Sequence, residues 1–520
     1  MSIKAIQEFF KNLIELPDTL RKSVVRHDKP TSDRARSQVV FGNIFLHILS
    51  TRTHRYSLKK SFTLGLGIMA VSSFIILLVT GLLLMVYYKP SIETAYDSIK
   101  DIHFVVPGGR FIRNVHRWAT NVMIVTVFLH MARVFYTAAY KKGRAFNWVL
   151  GIVLLVLTLL LGFTGYLLPW DQLAYWAITI ATNIAASTRE LTDALQITAY
   201  CDPGSLVKTL LLGSEHIGQE ALTRFYWLHC VILPMTMMVI LAVHLWRVRK
   251  DGGLARPDAL SEKDLEGTPK DPLSDKVFSH APEKTYGLMC LVKGKTPAVN
   301  RGPEQTVSSW PHLIVRILAI FMLTYAFICL YAFFFNAPLK ELANPSVPEN
   351  PAKAPWYFLG LQELVSYSAF MGCVGIPILA FLGLALIPYL DRRDQEIGRW
   401  FDSKEGQRVA LHSLIFAALV TIGMLAFTVR FGWLRNWFPH ISQLVIIFVN
   451  PGTILVSLFM LWSFYWMGKD NSTRMAAISL FTCFLAAFVI LTYFATNHRG
   501  PNWEFYWLKS QWPTHHRPHS

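Results

Sequence analysis

The stretch FTLGLGIMAVSSFIILLVTGLLLMVY at residues 62–87 carries no charge and, as a helix rising 1.5 Å per residue, is long enough to cross the roughly 30 Å hydrocarbon core of a bilayer. Apolar runs of this kind recur near 118–138, 148–168, 227–246, 312–335, 368–390 and 409–429, with two further ones near 444–467 and 475–496. Hydrocarbon offers the backbone no hydrogen-bonding partner outside its own segment, so such runs fold as helices. The sequence therefore predicts an all-α polytopic membrane protein with eight or nine transmembrane helices. Asn450-Pro451-Gly452 interrupts the eighth run, and residues 440–450 are expected to lie along the surface before a shorter span.

Two of these runs carry two histidines each. His116 and His130 are 14 residues apart in the second run, and His229 and His244 are 15 apart in the fourth. At 3.6 residues per turn both spacings return to nearly the same helix face after about four turns, some 21 Å along the axis. Side by side, the two helices would set His116 opposite His229 and His130 opposite His244, giving two stacked bis-imidazole sites, a diheme geometry. A single membrane histidine reads equally as a hydrogen-bonded core residue or a proton relay. The two spacings together favour haem iron held by His116, His130, His229 and His244. Zinc is the weaker reading, because no Cys, Asp or Glu shares these faces to complete a tetrahedral site.

Glycines repeat the same period. Gly67 and Gly81 are 14 apart on the first span, and Gly151 and Gly165 are 14 apart on the third. Flat macrocycles stacked in a bundle need flanking helices without side chains at two heights, although small residues also serve close helix packing alone. The six cysteines lie far apart, with no CxxC and no CxxCH, so neither a covalently attached c-type haem nor a zinc ribbon is expected.

The formal charge of +17 is explained by topology. With the N-terminus on the cytoplasmic side, the inside segments carry 33 Lys and Arg and the outside segments 14. No nucleic-acid partner is needed to account for the charge. The expected organisation is a cytoplasmic N-terminal arm over 1–61, with a surface helix bearing Ile3, Ile6, Phe10 and Leu13 on one stripe. A four-helix diheme domain follows over 62–250, then a cytoplasmic linker over 251–311 with little core of its own. A domain over 312–430 and additional C-terminal helices with a tail over 431–520 complete the chain.

The segments GGRFIRNVH (108–116), GYLLPWDQLAYWA (165–177), GQEALTRFYWLH (218–229) and the four histidines resemble cytochrome b of the quinol:cytochrome c oxidoreductases, the bc1 and b6f complexes. The 15-residue step from His229 to His244, Trp170-Asp171-Gln172 and Arg249-Lys250 look like the b6 branch, with the second half resembling subunit IV fused into the same chain. The resemblance implies two non-covalent b haems, the outer held by His116 and His229 and the inner by His130 and His244. It also implies bifurcated quinol oxidation at an outer site, transmembrane electron transfer to an inner quinone site, and coupled proton translocation. The implied partners are a Rieske iron-sulfur protein, a c-type cytochrome subunit and membrane lipid, in a homodimeric complex of the bacterial inner membrane.

The family's outer quinol loop reads Pro-Glu-Trp-Tyr, whereas here Ala354-Pro355-Trp356-Tyr357 stands in its place. Pro355, Trp356, Tyr357 and Trp176 are the expected outer quinone contacts, with Tyr166, Tyr357 and Glu363 as the catalytic candidates. Glu363 is the only acid from residue 350 to 390 and is the expected proton acceptor in place of the missing glutamate. Arg113, one turn before His116, is placed to meet a haem propionate or to anchor at the interface. Arg249 and Lys250, at the inner edge, are placed for a propionate or a quinone carbonyl and equally serve charge topology. Two other classes fit the histidines. A diheme anchor of a nitrate reductase or formate dehydrogenase gives no reason for GYLLPW or APWYF, and a haem-free transporter would use the histidines as a proton relay.

Overall fold

The computed structural model describes residues 14–15, 17–18, 30–43, 46–271, 305–391 and 397–513. Among them are nine helices long and apolar enough to cross a membrane: α1 Leu66–Met85, α2 Gly109–Tyr136, α3 Ala145–Leu167, α4 Gln219–Lys250, α5 Ser309–Phe334, α6 Met371–Leu390, α7 Lys404–Phe431, α8 Pro451–Asp470 and α9 Thr473–His498. The expected break in the eighth run is present. Gln443–Phe448 is a separate short helix, and the Asn450 side chain accepts from Thr453 N at 3.0 Å to cap α8, whose first residue is Pro451.

The chain divides into two compact units. The smaller lies within residues 1–59, 249–253 and 261–318, and the larger within 60–248, 254–260 and 319–520. In the smaller unit β1 (Arg52–His54) pairs antiparallel with β2 (Thr306–Ser308). Asp271 gathers Arg36 at 3.4 Å, Arg52 at 3.7 Å and His312 at 3.0 Å, and its carboxyl is held below the usual range by hydrogen bonds from Ser308 and His312 that outweigh its burial. Within the expected linker, residues 261–271 and 305–311 thus take part in this small unit. Leu265 is buried beneath Arg55, whose guanidinium bonds the carbonyls of Leu265 and Pro269. The stripe from Ile3 to Leu13 lies outside the described residues.

In the larger unit α1 to α4 form a bundle whose central layer is Phe74, Met123, Leu157, Leu233 and Met237. Met123 is seven residues from both His116 and His130, and Phe74 is seven from both Gly67 and Gly81. This apolar layer therefore separates two levels, each about 10 Å from it along the helices. α5 packs on α1 and α2 through Ile328 and Ala332 and turns residues such as Leu323 and Phe333 outward, where a bilayer would cover them. A short helix over Trp356–Val365 precedes α6 and packs along α9.

Candidate functional site

His116 and His229 face each other across the bundle with ring centroids 6.3 Å apart and planes 77° apart. Two imidazoles bonded to one metal through opposite nitrogens, with metal to nitrogen bonds of about 2 Å, leave their centroids about 6 Å apart. Each ring also has a hydroxyl at its other nitrogen. Thr80 Oγ1 lies 2.9 Å from His116 Nδ1, and Thr164 Oγ1 lies 3.1 Å from His229 Nδ1. Each hydroxyl donates its single proton to a carbonyl in its own helix, Thr80 to Ile76 at 2.7 Å and Thr164 to Leu160 at 2.9 Å. With that proton engaged, each threonine oxygen is free to accept from an Nδ1–H, the tautomer that leaves both Nε2 lone pairs for a metal.

The four glycines lie against the four rings. A Cβ at Gly81 would stand 3.3 Å from His116 Cε1, one at Gly67 3.2 Å from His130 Cε1, and one at Gly151 3.8 Å from His244 Cε1, while one at Gly165 would overlap the His229 ring. Each pair of glycines thus backs a pair of histidines at one height. His130 and His244 are electrostatic neighbours at the other end of α2 and α4, and the His244 ring is buried against the backbone of Asn147. No group of three His, Cys, Asp or Glu side chains converges among the described residues, so the zinc reading finds no third ligand.

The unequal spacings are reconciled by backbone geometry. Leu228–Ile232 forms a π turn in which Leu233 N donates to Leu228 O, so α4 absorbs one extra residue at His229. The 15 residues on α4 then span what 14 span on α2.

Tyr357 is 2 % exposed, and its hydroxyl sits where a side chain on Gly162 of α3 would be, 2.8 Å from that Cβ position, with no hydrogen-bond partner among the described residues. Burial pushes this phenol up to about 12. Trp356 Nε1 donates to Asn121 Oδ1 of α2 at 2.9 Å, and Pro355 precedes the short helix as its cap. Arg117, whose place beside His116 is its one signal in the sequence, stacks over the Tyr166 ring at 5.7 Å and interacts electrostatically with Tyr357. Its Nε has no partner among the described residues. Trp176 meets Tyr175 edge to face, and its buried Nε1 is likewise without a partner there. Asp171 and Gln172 fasten the chain that follows α5: Asp171 Oδ2 accepts from Lys340 N at 3.0 Å, and Gln172 Oε1 accepts from Asn344 N at 2.7 Å. Burial raises the Asp171 carboxyl despite these bonds.

The remaining expected site residues are placed as follows. Arg113 is buried and gives its terminal nitrogens to Ala337 O at 3.0 Å and Pro338 O at 2.6 Å, because the chain after α5 turns those carbonyls towards it. Arg249 donates to the carbonyl of His47, while Lys250 is exposed at the end of α4. Glu363 is fully buried, with Oε2 accepting from Arg499 Nε at 2.9 Å and Trp503 Nε1 at 3.1 Å, and Oε1 from Arg499 Nη2 at 2.5 Å and Tyr367 Oη at 3.0 Å. Four donors fill the carboxylate, and none of its acceptor positions is left for a quinol proton.

The sequence profile of the family described as cytochrome b/b6/petB matches residues 53–252. Cytochrome b6 of Synechocystis sp. is 39 % identical over 187 residues, which are 36 % of this chain and 79 % of that protein. Cytochrome b6 of Heliobacterium mobile is 42 % identical over 187 residues, covering 36 % of this chain and 82 % of the relative. A solved chain of a hyperthermophilic respiratory Complex III shares the fold, with a TM-score of 0.53 and 23 % identity over 84 % of this chain and 91 % of its own. With its histidines paired across the bundle and its glycines backing them, the chain belongs to the cytochrome b/b6 family, as a multi-pass, haem-binding membrane protein of electron transport.

Proposed function

We propose that this chain is the cytochrome b subunit of a quinol:cytochrome c oxidoreductase, which oxidises quinol in a bifurcated reaction at an outer site and reduces quinone at an inner one, with proton translocation. The observation that carries the reading is the pairing of His116 and His229 across the bundle at the ring spacing that one bis-imidazole iron requires, each with a threonine hydroxyl at its Nδ1. His130 and His244 hold the second, inner haem. Bound between these pairs, two b haems supply one-electron redox centres between the two quinone sites. Tyr357, Trp356, Tyr166 and Trp176 line the outer quinol site. Arg117 provides a positive charge beside the two tyrosines, which favours negative charge developing on a quinol as its protons leave. Asp171 and Gln172 hold the loop that closes this side.

The proposed setting is a bacterial inner membrane with the N-terminus cytoplasmic, in a homodimeric complex with a Rieske protein and a c-type cytochrome. The test is purification of the native complex, followed by a reduced-minus-oxidised spectrum, haem quantification and quinol-dependent reduction of cytochrome c. Two b haems per chain with inhibitor-sensitive turnover are expected. Two haems without a co-purifying Rieske protein would favour the membrane anchor of another respiratory enzyme, and no haem at all would leave a transporter.

A further inference from the structure

Tyr357 and Glu363 are six residues apart on the short helix, a rotation of about 600° that puts them on different faces. One face meets α3 at Gly162, and the other meets the end of α9. We propose that Glu363 and Arg499 are a positioning pair through which α9 and the segment after it set the placement of Trp356 and Tyr357 in the outer quinol site. The proposal rests on the quinol reading above and deepens it.

Four observations carry it. The pair is bidentate and buried, the geometry that fixes orientation most strictly for a guanidinium on a carboxylate. Arg499 also donates to Trp503 O at 2.8 Å, and the Trp503 indole returns to Glu363 at 3.1 Å, so the chain after α9 closes a ring around the carboxylate. That closure places Asn502 and Trp503 at φ of 55° and 60°, the left-handed region that non-glycine residues enter at a cost. The same segment holds the loop before the short helix: Asn350 Nδ2 donates to Asn502 Oδ1 at 2.8 Å, Asn350 Oδ1 accepts from Asn502 N at 2.6 Å, and Lys353 Nζ donates to Thr496 O at 2.9 Å. Finally, a Cβ at Gly360 would stand 2.9 Å from Thr492 Oγ1, so the short helix and α9 approach closely along their length. The helix bearing Trp356 and Tyr357 is therefore held from its far side by residues more than 130 positions later in the chain.

The test uses the purified complex with the full chain carrying Glu363→Gln, Arg499→Gln, both together, or Trp503→Phe. Either single Gln variant leaves a buried charge without its partner, whereas the double variant removes both charges at once. The singles are expected to lower quinol kcat/KM roughly ten- to a hundredfold through KM, the scale of an ångström-level misplacement of a substrate-holding group. Both haem bands and the pH profile should stay parental, and the double variant should regain most of the loss. Trp503→Phe removes one indole hydrogen bond, so it tests the same idea if the Gln variants fail to assemble; a raised KM is expected. Amide exchange over residues 350–367 should quicken in every variant, and it reads the pair without reference to quinol. If the parental complex does not oxidise quinol, the functional reading fails while the exchange result still decides the pair. The proposal is overturned if all variants keep parental KM and exchange, or if Glu363→Gln abolishes kcat with a shifted pH profile while Arg499→Gln and Trp503→Phe turn over normally, which would make Glu363 a proton carrier.

Discussion

Thr164 Oγ1 lies 3.1 Å from His229 Nδ1, and the next residue, Gly165, is the one against which that same ring packs. Thr80 and Gly81 repeat the arrangement for His116. One dipeptide thus supplies both the acceptor that fixes the tautomer and the clearance that admits the ring. The inner level has Leu66-Gly67 and Leu150-Gly151 instead, which keep the clearance and drop the hydroxyl.

Because an Nδ1–H that donates to oxygen makes the imidazole a better electron donor to iron, Thr164→Val and Thr80→Val are expected to raise the potential of the outer haem and leave the inner one unchanged. Haem affinity at the outer site should fall roughly tenfold or more, on the scale of lost second-shell bonds at metal sites. Potentiometric titration of the two spectral components measures both effects. An unchanged outer potential would show that the threonines do not tune it.

Removing one axial ligand should remove one haem. His229→Ala is expected to lose the outer component and His244→Ala the inner, since the His116 ring lies opposite His229 and His130 is an electrostatic neighbour of His244. Loss of the same spectral component in both variants would contradict the pairing.

The glycines separate by tolerance. A Cβ at Gly165 overlaps the His229 ring, whereas one at Gly151 stands 3.8 Å from His244, an ordinary contact. Gly165→Ala should therefore displace His229 and lose the outer haem, while Gly151→Ala keeps the inner haem. Haem-to-protein ratios of the two purified variants decide this.

The Tyr357 hydroxyl has no hydrogen-bond partner among the described residues to lose, so Tyr357→Phe should not destabilise the fold. Quinol oxidation should slow nonetheless. Burial moves this phenol from its ordinary value up to about 12, so it stays protonated throughout the assay range and loses its proton only above it. The pH profile of the variant should then superimpose on the parental one after scaling. A profile that loses a limb would mean that the phenol titrates during turnover.

The helices, the two histidine levels and the glycines that back them were all legible in the sequence, because helical periodicity and bilayer thickness are local properties recorded every 3.6 residues. The polar partners were not. Arg113 meets carbonyls 224 and 225 residues away, and Glu363 meets Arg499 across 136. An apolar face announces itself by its spacing, but a charged side chain shows nothing of the distant donor or acceptor it will find once the helices pack. The 15-residue spacing on α4 is a case between the two: the histidines were visible, and only the folded backbone, with its π turn at His229, decided how they come level with the pair 14 residues apart on α2.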